Sequence, residues 1–314
     1  MVKFSILVPA YKSKFLFQCI QSILVQTYNN FEVIIVNDAS PEDLDSIVYE
    51  FKDSRIKYYK NEINFGAINV VDNWNKCLDL STGDFVICMG DDDMLMAECL
   101  EEFSILIHGN PYADVFHMRV RVIDEDDNVQ YILPERPEHQ SLYSYMLSRI
   151  NGTQQYLGDF CYRASRLKNE GGFYKLPYAW GSDDITSYIC ANPWGVINSN
   201  KPLFSYRISR YTISNSGHEQ DKLVAIQLIR KWLFEFVDKQ KTYLEVEREE
   251  LSQLMTQIPK YYSNCQVWIL VPLLKRDFVA FISVASRFKV TINTLFKTFF
   301  CLLVSLRKSK LKML

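Results

Sequence analysis

The chain has 314 residues, of which 48% are hydrophobic and 23% charged, and this length and composition predict one or two globular domains. The same figures exclude intrinsically disordered and collagen-like chains. The net charge of −2 is unevenly spread, because no acidic residue follows Asp277 whereas seven basic residues do. An acidic body with a basic tail is therefore expected.

The eight cysteines form no CxxC pair, which excludes zinc-ribbon and zinc-finger spacings. Several lie in apolar runs, where a buried, reduced thiol is expected, so a reducing compartment is favoured. The first apolar run, residues 4–8, is too short for a secretory signal. The segment nearest in character to a membrane span, residues 290–306, contains Lys297, so no spanning helix is expected.

Strands and helices are expected to alternate through the first third of the chain. Short apolar runs predict buried parallel strands at residues 4–8, 31–36, 55–59 and 84–89. Helices are predicted between them at residues 15–24 and 66–80, and again at residues 96–108. A further helix is expected after the second strand, with Ser40 as its N-cap and Pro41 as its first residue.

This alternation predicts a doubly wound, mostly parallel sheet flanked by helices, an α/β fold. Ligands of such sheets bind beyond the carboxyl ends of the strands, which here carry residues 9–11, 37–40 and 90–93. Neither GxGxxG nor GxxxxGK(S/T) occurs at these ends, so dinucleotide and P-loop sites lose support. Two of the three ends carry carboxylates instead.

Residues 90–93, Gly-Asp-Asp-Asp, form the strongest chemical signal in the sequence. Three adjacent carboxylates repel one another and lose hydration when buried, so they are tolerated where they are solvated or neutralised by a cation. Oxygen ligands suit Mg²⁺ or Mn²⁺, and such ions usually share their coordination shell with substrate phosphates. The alternative is a solvated loop that caps the helix at residues 96–108.

The order and spacing of several short motifs resemble those of the family-2 glycosyltransferases with the GT-A fold. These motifs are SILVPAY at residues 5–11, VNDAS at 36–40, NFG at 64–66, TGD at 82–84 and GDDD at 90–93. Each motif alone is weak, but the series is specific. The resemblance covers roughly residues 3–215 and implies an inverting enzyme that uses a nucleotide sugar.

The resemblance implies which residues bind the donor: Pro9, Ala10, Tyr11, Asp38, Asn64, Gly66, Asp91, Asp92 and Arg207. Residues 9–11 would form the first nucleotide-contacting loop. Asp38 would accept a hydrogen bond from the nucleotide base, typically uracil. Asn64 and Gly66 would form part of the wall around the nucleoside.

The resemblance also implies a DxD region, which holds the metal ion and the diphosphate, at residues 91–93. Many family members read Asp-x-Asp-Asp, whereas Gly90 occupies the first position here. Asp92 and Asp93 match the last two acids and are the implied metal ligands, with Asp92 foremost. Asp91 would take over the missing role or contact the ribose.

The implied catalytic acids follow in the second half of the chain. Residues 163–173 resemble the family's segment before the catalytic acid, and WGSDD at residues 180–184 resembles its Glu-Asp motif. Asp184 matches the general base, which removes the proton of the acceptor hydroxyl, and Asp183 stands where Glu is common. The alternative is that Ser182 caps a helix whose first turn holds both acids, and the two can hold together.

The segment after the acids resembles the part of the family that lies near the diphosphate. Its candidate residues are Arg207, Arg210 and His218, and it includes the motif TIS at residues 212–214. Two tryptophans, Trp180 and Trp194, are candidates for stacking on sugar faces, although such residues belong more often to the core.

The resemblance divides the chain into a catalytic domain at residues 1–215 and a helical extension at residues 216–314. Within the catalytic domain, residues 1–110 would bind the nucleotide sugar and residues 111–215 the acceptor. Residues 278–306 interleave apolar side chains with Lys and Arg, as in a helix that lies on anionic lipid. This pattern predicts peripheral contact with the cytoplasmic face of the cell membrane. The alternative is a helix packed on the domain or on a partner.

Together these features imply an inverting hexosyl- or hexosaminyltransferase that moves a sugar from a UDP-sugar, or another nucleotide sugar, to a hydroxyl of a glycan or lipid-linked acceptor in cell-surface polysaccharide synthesis. Mg²⁺ or Mn²⁺ is the expected cofactor, and no nucleic acid partner is expected. A nucleotidyltransferase is one alternative, but it would show a Gly-rich first loop, and residues 9–13 contain no Gly. An inactive sugar-binding scaffold is the other, and the presence of Asp38, Asp92 and Asp184 disfavours it.

Overall fold

The computed structural model describes residues 1–209, 219–240 and 244–311. Its first part confirms the predicted alternation of strands and helices. The elements are β1 (Phe4–Ala10), α1 (Leu16–Leu24), β2 (Phe31–Asn37), α2 (Leu44–Glu50), β3 (Ile56–Lys60), α3 (Val70–Leu80) and β4 (Phe85–Cys88). A single 3-10 turn, Ala67–Asn69, leads into α3.

The start of α2 differs from the sequence expectation. Asp43, not Ser40, is the N-cap, and its carboxylate accepts a hydrogen bond from Ser46 N at 3.1 Å. The Ser40 hydroxyl instead donates to the Tyr11 carbonyl at 2.6 Å. Ser40 therefore ties the loop after β2 to the loop after β1, and Pro41 precedes the helix instead of starting it.

The second part of the fold adds shorter strands and the helices that flank them. These elements are β5 (Met94–Leu95), α4 (Cys99–Gly109), β6 (Val115–Ile123), β7 (Val129–Ile132), β8 (His139–Gln140), α5 (Leu142–Ile150), β9 (Phe160–Arg163), α6 (Ala164–Asn169), α7 (Ser182–Ala191) and β10 (Val196–Arg207).

All the strands belong to one mixed sheet with the order β3-β2-β1-β4-β9-β6-β10-β5 along its main path. The first four strands are parallel, and Ala10 of β1 lies beside Asn37 of β2. The inserted strand β9 runs antiparallel to both β4 and β6, whereas β6 and β10 are parallel. The predicted mostly parallel α/β sheet is confirmed, and its parallel half brings three strand ends to one edge.

Side chains alternate along the central strands and build two cores, one on each face of the sheet. Ile6 and Val8 point into the core beneath α1, α2 and α4. Leu7 points into the opposite core, which α3, α5 and α7 cover. Six of the eight cysteines are buried and all are free thiols, as the apolar context of the sequence predicts.

The C-terminal extension consists of α8 (Glu219–Asp238), α9 (Glu245–Arg276), α10 (Phe278–Arg287) and α11 (Ile292–Leu311). Leu223 and Ile229 of α8 and Leu254 of α9 belong to the same buried cluster as Tyr145 and Tyr188 of the body. The first two helices of the extension are therefore packed on the body. Within the described residues, no helix combines the length and the apolarity that a membrane crossing needs.

Candidate functional site

The ends of β1, β2 and β4 meet at one edge of the sheet, as the parallel order requires. Asp38 N donates to the Ala10 carbonyl at 2.9 Å, which joins the ends of β1 and β2. Tyr11 N and Lys12 N donate to Asp91 Oδ2 at 2.8 and 2.7 Å, which joins the ends of β1 and β4. The structure thus brings the predicted loop at residues 9–11 together with Asp38 and Asp91.

Lys12 is the counter-ion of the acidic loop. Its ammonium lies 3.0 Å from Asp92 Oδ2 and 3.4 Å from Asp91 Oδ1. Burial lowers the pKa of Lys12, but the two carboxylates outweigh it and raise the pKa above its ordinary value. Burial also raises the pKa of Asp91, against Lys12 and two backbone donors. Two backbone donors and the Lys12 ammonium converge on Asp91 and favour its charged form, so Lys12 and Asp91 form an ion pair.

The carboxylates of Asp92 and Asp93 both have one oxygen close to Gly90. Asp93 Oδ1 accepts a hydrogen bond from Arg207 N at 3.0 Å, and burial, with help from the Asp92 charge, raises the pKa of Asp93 well above its usual value. A Cβ on Gly90 would lie 2.8 Å from Asp92 Oδ1 and 3.1 Å from Asp93 Oδ2. The absence of a side chain at Gly90 therefore leaves room for both carboxylates in the positions they take here.

Arg207 is a buried residue that contacts the acidic loop. Only 1% of this residue is exposed, its Nε donates to the Asp92 carbonyl at 2.8 Å, and its guanidinium stacks on Phe15 at 4.3 Å. A further nitrogen pairs with Asp127 at 2.6 Å. Arg207, predicted to bind the donor, thus contacts the backbone of the acidic loop in this structure. The other candidates near it, Arg210 and His218 with the motif at 212–214, lie outside the described residues.

Asp38 is buried at the far side of the same edge. Its Oδ1 accepts hydrogen bonds from Asn61 Nδ2 at 2.7 Å and Phe65 N at 3.1 Å. Gly66, in the left-handed region at φ 77°, donates its N–H to the side chain of Asn64. Asn61 and Phe65 therefore fix Asp38, and Asn64 and Gly66 belong to the same short segment, residues 61–66.

A pair of aromatic rings lies beside the acidic loop. The rings of Tyr156 and Tyr206 stack at 3.7 Å between centroids with an angle of 14° between planes. Burial raises the pKa of both phenols, and the nearby Asp93 and Asp92 charges add to the rise for Tyr206. The stack is a rigid apolar surface next to charged groups.

Asp184 is held in a buried ion pair. Arg149 Nε donates to Asp184 Oδ1 at 2.7 Å and Arg149 Nη2 to Oδ2 at 3.1 Å, and Gln155 Nε2 also donates to Oδ1 at 2.7 Å. Both oxygens of the expected base are therefore already hydrogen-bonded. Asp184 raises the pKa of Arg149 in spite of the burial that lowers it.

Asp183 precedes it in the first turn of α7 and is only partly exposed. Burial and the neighbouring Asp184 charge raise the pKa of Asp183 to about 7. Within the described residues, no basic side chain forms an ion pair with it. Asp183 is thus a carboxylate that can change its protonation state near neutral pH.

The cap of α7 differs from the expected one. Gly181, at φ 80°, is the N-cap, and a Cβ at this position would lie 2.6 Å from Ile229 Cδ1. Ser182 is the first helical residue, and its hydroxyl accepts from Leu176 N at 3.2 Å. The prediction that Ser182 caps the helix is wrong, whereas both acids do lie in the first turn.

The two tryptophans lie in different surroundings. Trp180 packs against Trp268 of α9 at 5.1 Å, and the Lys222 ammonium lies 4.9 Å above the Trp180 ring. Trp194 is 51% exposed and contacts the ring of Tyr112 at 5.7 Å. Trp180 directly precedes Gly181 and the acid pair in the chain, whereas Trp194 follows α7.

Three residues of this site, Lys12, Arg149 and Gln155, are not among those that the sequence predicts. Lys12 directly follows the loop at residues 9–11, so its place at a strand end offered a signal. Arg149 and Gln155 reach Asp184 from a different helix and the loop after it, 35 and 29 residues away in the chain. No local motif links these partners to the acid pair.

The structure thus combines a strand-end carboxylate and an acidic loop at one edge of the sheet with an acid pair in the first turn of α7, which are the features that the resemblance to the GT-A fold implies. The chain belongs to glycosyl transferase family 2, whose model matches residues 5–168, more than half of the chain. The match confirms the family that the sequence motifs imply.

Curated relatives are similar over part of their length. The chain is 34% identical over 108 residues to the UDP-Glc:α-D-GlcNAc-diphosphoundecaprenol β-1,3-glucosyltransferase WfgD of Escherichia coli, covering 34% of this chain and 42% of that protein. It is 23% identical over 243 residues to the poly(ribitol-phosphate) β-N-acetylglucosaminyltransferase TarS of Staphylococcus aureus, covering 73% of this chain and 41% of that protein. The chain thus spans about two fifths of the length of either relative.

Solved structures share the fold. S. aureus TarS 1–349 in complex with UDP-GlcNAc matches with a TM-score of 0.66 at 18% identity, over 87% of this chain and 81% of that one. A mannosyltransferase from Pyrobaculum calidifontis in complex with GDP-Man and Mn²⁺ matches with a TM-score of 0.55 at 13% identity, over 95% and 83%. These likenesses confirm the GT-A fold.

Proposed function

We propose that this chain is an inverting glycosyltransferase that moves a hexose or N-acetylhexosamine from a UDP-sugar to a hydroxyl of a glycan or lipid-linked acceptor. The observation that carries the proposal is the meeting of Asp38, the loop at residues 9–11 and the acidic loop at one sheet edge. The names of the relatives support the substrate classes, since one uses UDP-Glc and a diphosphate-linked lipid, and another was solved with UDP-GlcNAc.

The donor would lie across the three strand ends. Asp38 Oδ1 is engaged by Asn61 and Phe65, so Oδ2 is the oxygen that can accept the N3–H of uracil. Lys12 beside Asp92 offers a cation to the diphosphate. The wall around Asn64 and Gly66 would enclose the nucleoside.

We assign a divalent metal to Asp92 and Asp93. Asp93 Oδ1 accepts from Arg207 N and Asp92 Oδ2 pairs with Lys12, which leaves Asp92 Oδ1 and Asp93 Oδ2 for the ion, and both of these oxygens lie on the side of Gly90 where a side chain is missing. Mg²⁺ needs only one or two carboxylates when substrate phosphates complete its shell. The described residues contain no group of three ligating side chains, which fits a metal held jointly with the donor. Mg²⁺ or Mn²⁺ bound there would neutralise charge that develops on the leaving diphosphate.

We assign the base to the acid pair, and within it to Asp183. The resemblance favours Asp184, but both oxygens of that residue accept hydrogen bonds from Arg149 and Gln155. Asp183 is not paired with a cation in the described part of the chain, and its pKa of about 7 suits proton abstraction at neutral pH. Asp184 would then position the first turn of α7 and raise the basicity of its neighbour.

The proposed transfer is a single displacement at the anomeric carbon of the donor sugar. The acceptor oxygen forms a bond to the anomeric carbon while the bond from that carbon to the diphosphate oxygen breaks with its electron pair. The acceptor proton passes to the carboxylate, and the nucleoside diphosphate leaves on the opposite face, so the configuration inverts. The work of the protein is to hold the acceptor oxygen in line with the leaving group.

We further propose peripheral contact with the inner face of the cell membrane through α10 and α11. Phe296 and Phe300 of α11 are 71% and 67% exposed, and Val279 of α10 is 77% exposed. Lys297 lies between these apolar residues, as in a helix that lies flat on lipid with its charges directed to water or headgroups. A relative that acts on a diphosphate-linked lipid supports an acceptor at that surface.

The test is a panel of nucleotide sugars incubated with the full chain and Mn²⁺, with the products separated. Release of UDP from a UDP-sugar supports the proposal. Release of inorganic pyrophosphate with transfer of a nucleotide would establish a nucleotidyltransferase instead. Tight binding of UDP without turnover in the presence of any panel acceptor would favour the inactive scaffold.

A further inference from the structure

A second polar site lies in the helical extension, away from the acid pair. A cavity of about 980 Å³ opens between α8, α9 and the segment that joins α10 to α11. Six cationic side chains line it: Arg230, Lys231, Lys260, Arg287, Lys289 and Lys297. Residues from three parts of the extension contribute, so the site exists only when the helices are packed together.

The cations around this basic cavity are poorly neutralised. No carboxylate lines it among the described residues. Within the described ranges, the six cations form one ion pair, that of Lys231 with Glu235 at 3.8 Å on the exposed surface of α8. Arg287 donates to the neutral amide of Gln220 at 2.8 Å. Like charges held around one space favour a bound anion, which lowers their mutual repulsion.

The interior of the cavity supplies oriented neutral groups as well. Arg230 stacks against Tyr262 at 5.0 Å and against Phe234 at 5.4 Å, which limits the directions its guanidinium can take. Ser263 of α9 and Thr294 of α11 share a hydrogen bond of 2.8 Å between their hydroxyls. Thr294 is 1% exposed. The hydroxyl pair joins α9 to α11 across the cavity, and the guanidinium and ammonium groups are the donors that bind phosphate oxygens.

We propose that the basic cavity binds the phosphate headgroup of an anionic membrane lipid. The helix that supplies Lys297 also carries the exposed Phe296 and Ile292, which are 71% and 70% exposed. Apolar side chains beside a cationic cavity suit a ligand with a phosphate at one end and acyl chains at the other. The proposal does not depend on the transfer reaction, and it adds a defined headgroup site to the general membrane contact proposed above.

The experiment compares two triple variants of the full chain with the same loss of charge. Lys260→Gln, Lys289→Gln and Lys297→Gln remove cations of the cavity. Lys52→Gln, Lys239→Gln and Lys275→Gln remove exposed lysines elsewhere. Each protein is sedimented with vesicles of phosphatidylcholine alone and of phosphatidylcholine with phosphatidylglycerol, and thermal unfolding checks that it is folded.

The cavity variant is expected to bind the anionic vesicles at least about tenfold more weakly than the parent, and the control variant to bind within about twofold of it. Equal losses in the two variants would show a diffuse charge effect and overturn the site, as would no loss in either. A competition arm adds soluble glycerol phosphate at the same phosphate concentration as the vesicles. If glycerol phosphate at that concentration abolishes the binding of the vesicles, the cavity is a site for free phosphate compounds, and the assignment to a lipid headgroup is wrong.

Discussion

Lys12 and Asp92 form the shortest ion pair recorded at the acidic loop, with 3.0 Å between Nζ and Oδ2. Lys12 belongs to the end of β1 and Asp92 to the end of β4, so the pair joins two strand ends that the donor would bridge. A fixed ammonium at this point compensates part of the charge of three adjacent acids. It would also meet the diphosphate of an incoming nucleotide.

Replacing Lys12 tests this role. Lys12→Gln keeps much of the side-chain length but removes the charge, so we expect UDP to bind about tenfold more weakly in the presence of EDTA. Calorimetry measures the affinity, and Lys52→Gln, an exposed lysine away from the site, is the control. UDP affinity equal to that of the parent would show that Lys12 serves the acidic loop alone.

The metal assignment is tested at Asp92. Asp92→Ala should weaken UDP binding in Mn²⁺ by at least about tenfold, roughly 1.4 kcal/mol, because a ligand of the metal is lost. The same variant should lose the difference in affinity between Mn²⁺ and EDTA. Asp79→Ala, an exposed acid on α3, is the matched control. A parent protein that binds UDP equally well in Mn²⁺ and EDTA would exclude the metal from donor binding.

The two acids of α7 are separated by asparagine substitutions. Asp183→Asn should lower turnover by roughly 10²–10⁴ with little change in UDP affinity, because the amide cannot accept a proton. In the parent, kcat should rise with pH through about 7, where Asp183 loses its proton. Asp184→Asn should reduce turnover less. The reverse ranking of the two variants would return the base to Asp184.

Stability provides an independent measurement on Asp183. Because its pKa is raised in the folded chain, the folded state holds a proton that the unfolded state has lost between the ordinary carboxyl pKa and about 7. Stability should therefore fall as the pH rises through that window. Asp183→Asn should raise the melting temperature at about pH 8 and change it little at about pH 4. A lower melting temperature at both pH values would mean that the side chain is needed for packing.

Arg149 is predicted to stabilise the fold through Asp184. The two side chains are 18% and 11% exposed, so Arg149→Met leaves a buried carboxylate without its counter-ion. We expect a loss of about 3 kcal/mol in the free energy of unfolding, and partial recovery when Asp184→Asn is added. Urea denaturation measures both. Lys60→Met, which breaks the exposed pair with Asp45, should cost at most about 1 kcal/mol.

The sequence predicts the parallel half of the sheet well because short apolar runs and helical periodicity are local signals. The positions of Asp38 and of the acidic loop at the edge of the sheet could be predicted in the same way, since both directly follow such strands. β9 was not predicted, because a short antiparallel strand is defined by its neighbours β4 and β6, which are distant in the chain. Arg149 and Gln155, the partners of Asp184, were not predicted for the same reason, since they are also distant from it in the chain. The structural role of Arg207 also depends on contacts that no motif encodes.

The apolar surface of α11 is the last feature to test. Phe296, Phe300 and Leu303 are 71%, 67% and 61% exposed, and their burial in the headgroup region would add about 25 cal/mol per Å² of apolar area. A truncation at Asp277 would be a poor test, because Phe281 and Val284 of α10 are buried against the rest of the chain.

The substitutions Phe296→Ser, Phe300→Ser and Leu303→Ser should instead weaken binding to vesicles of phosphatidylcholine with phosphatidylglycerol, and the loss should persist at high salt, where charge contributions are screened. Ile63→Ser with Ile105→Ser changes exposed apolar residues on the body, 80% and 60% exposed, and should leave binding unchanged. Vesicle binding that survives the α11 substitutions but falls in the basic cavity variant would leave only an electrostatic contact. Loss in neither variant would remove the membrane from the function of this chain, without affecting the proposed sugar transfer.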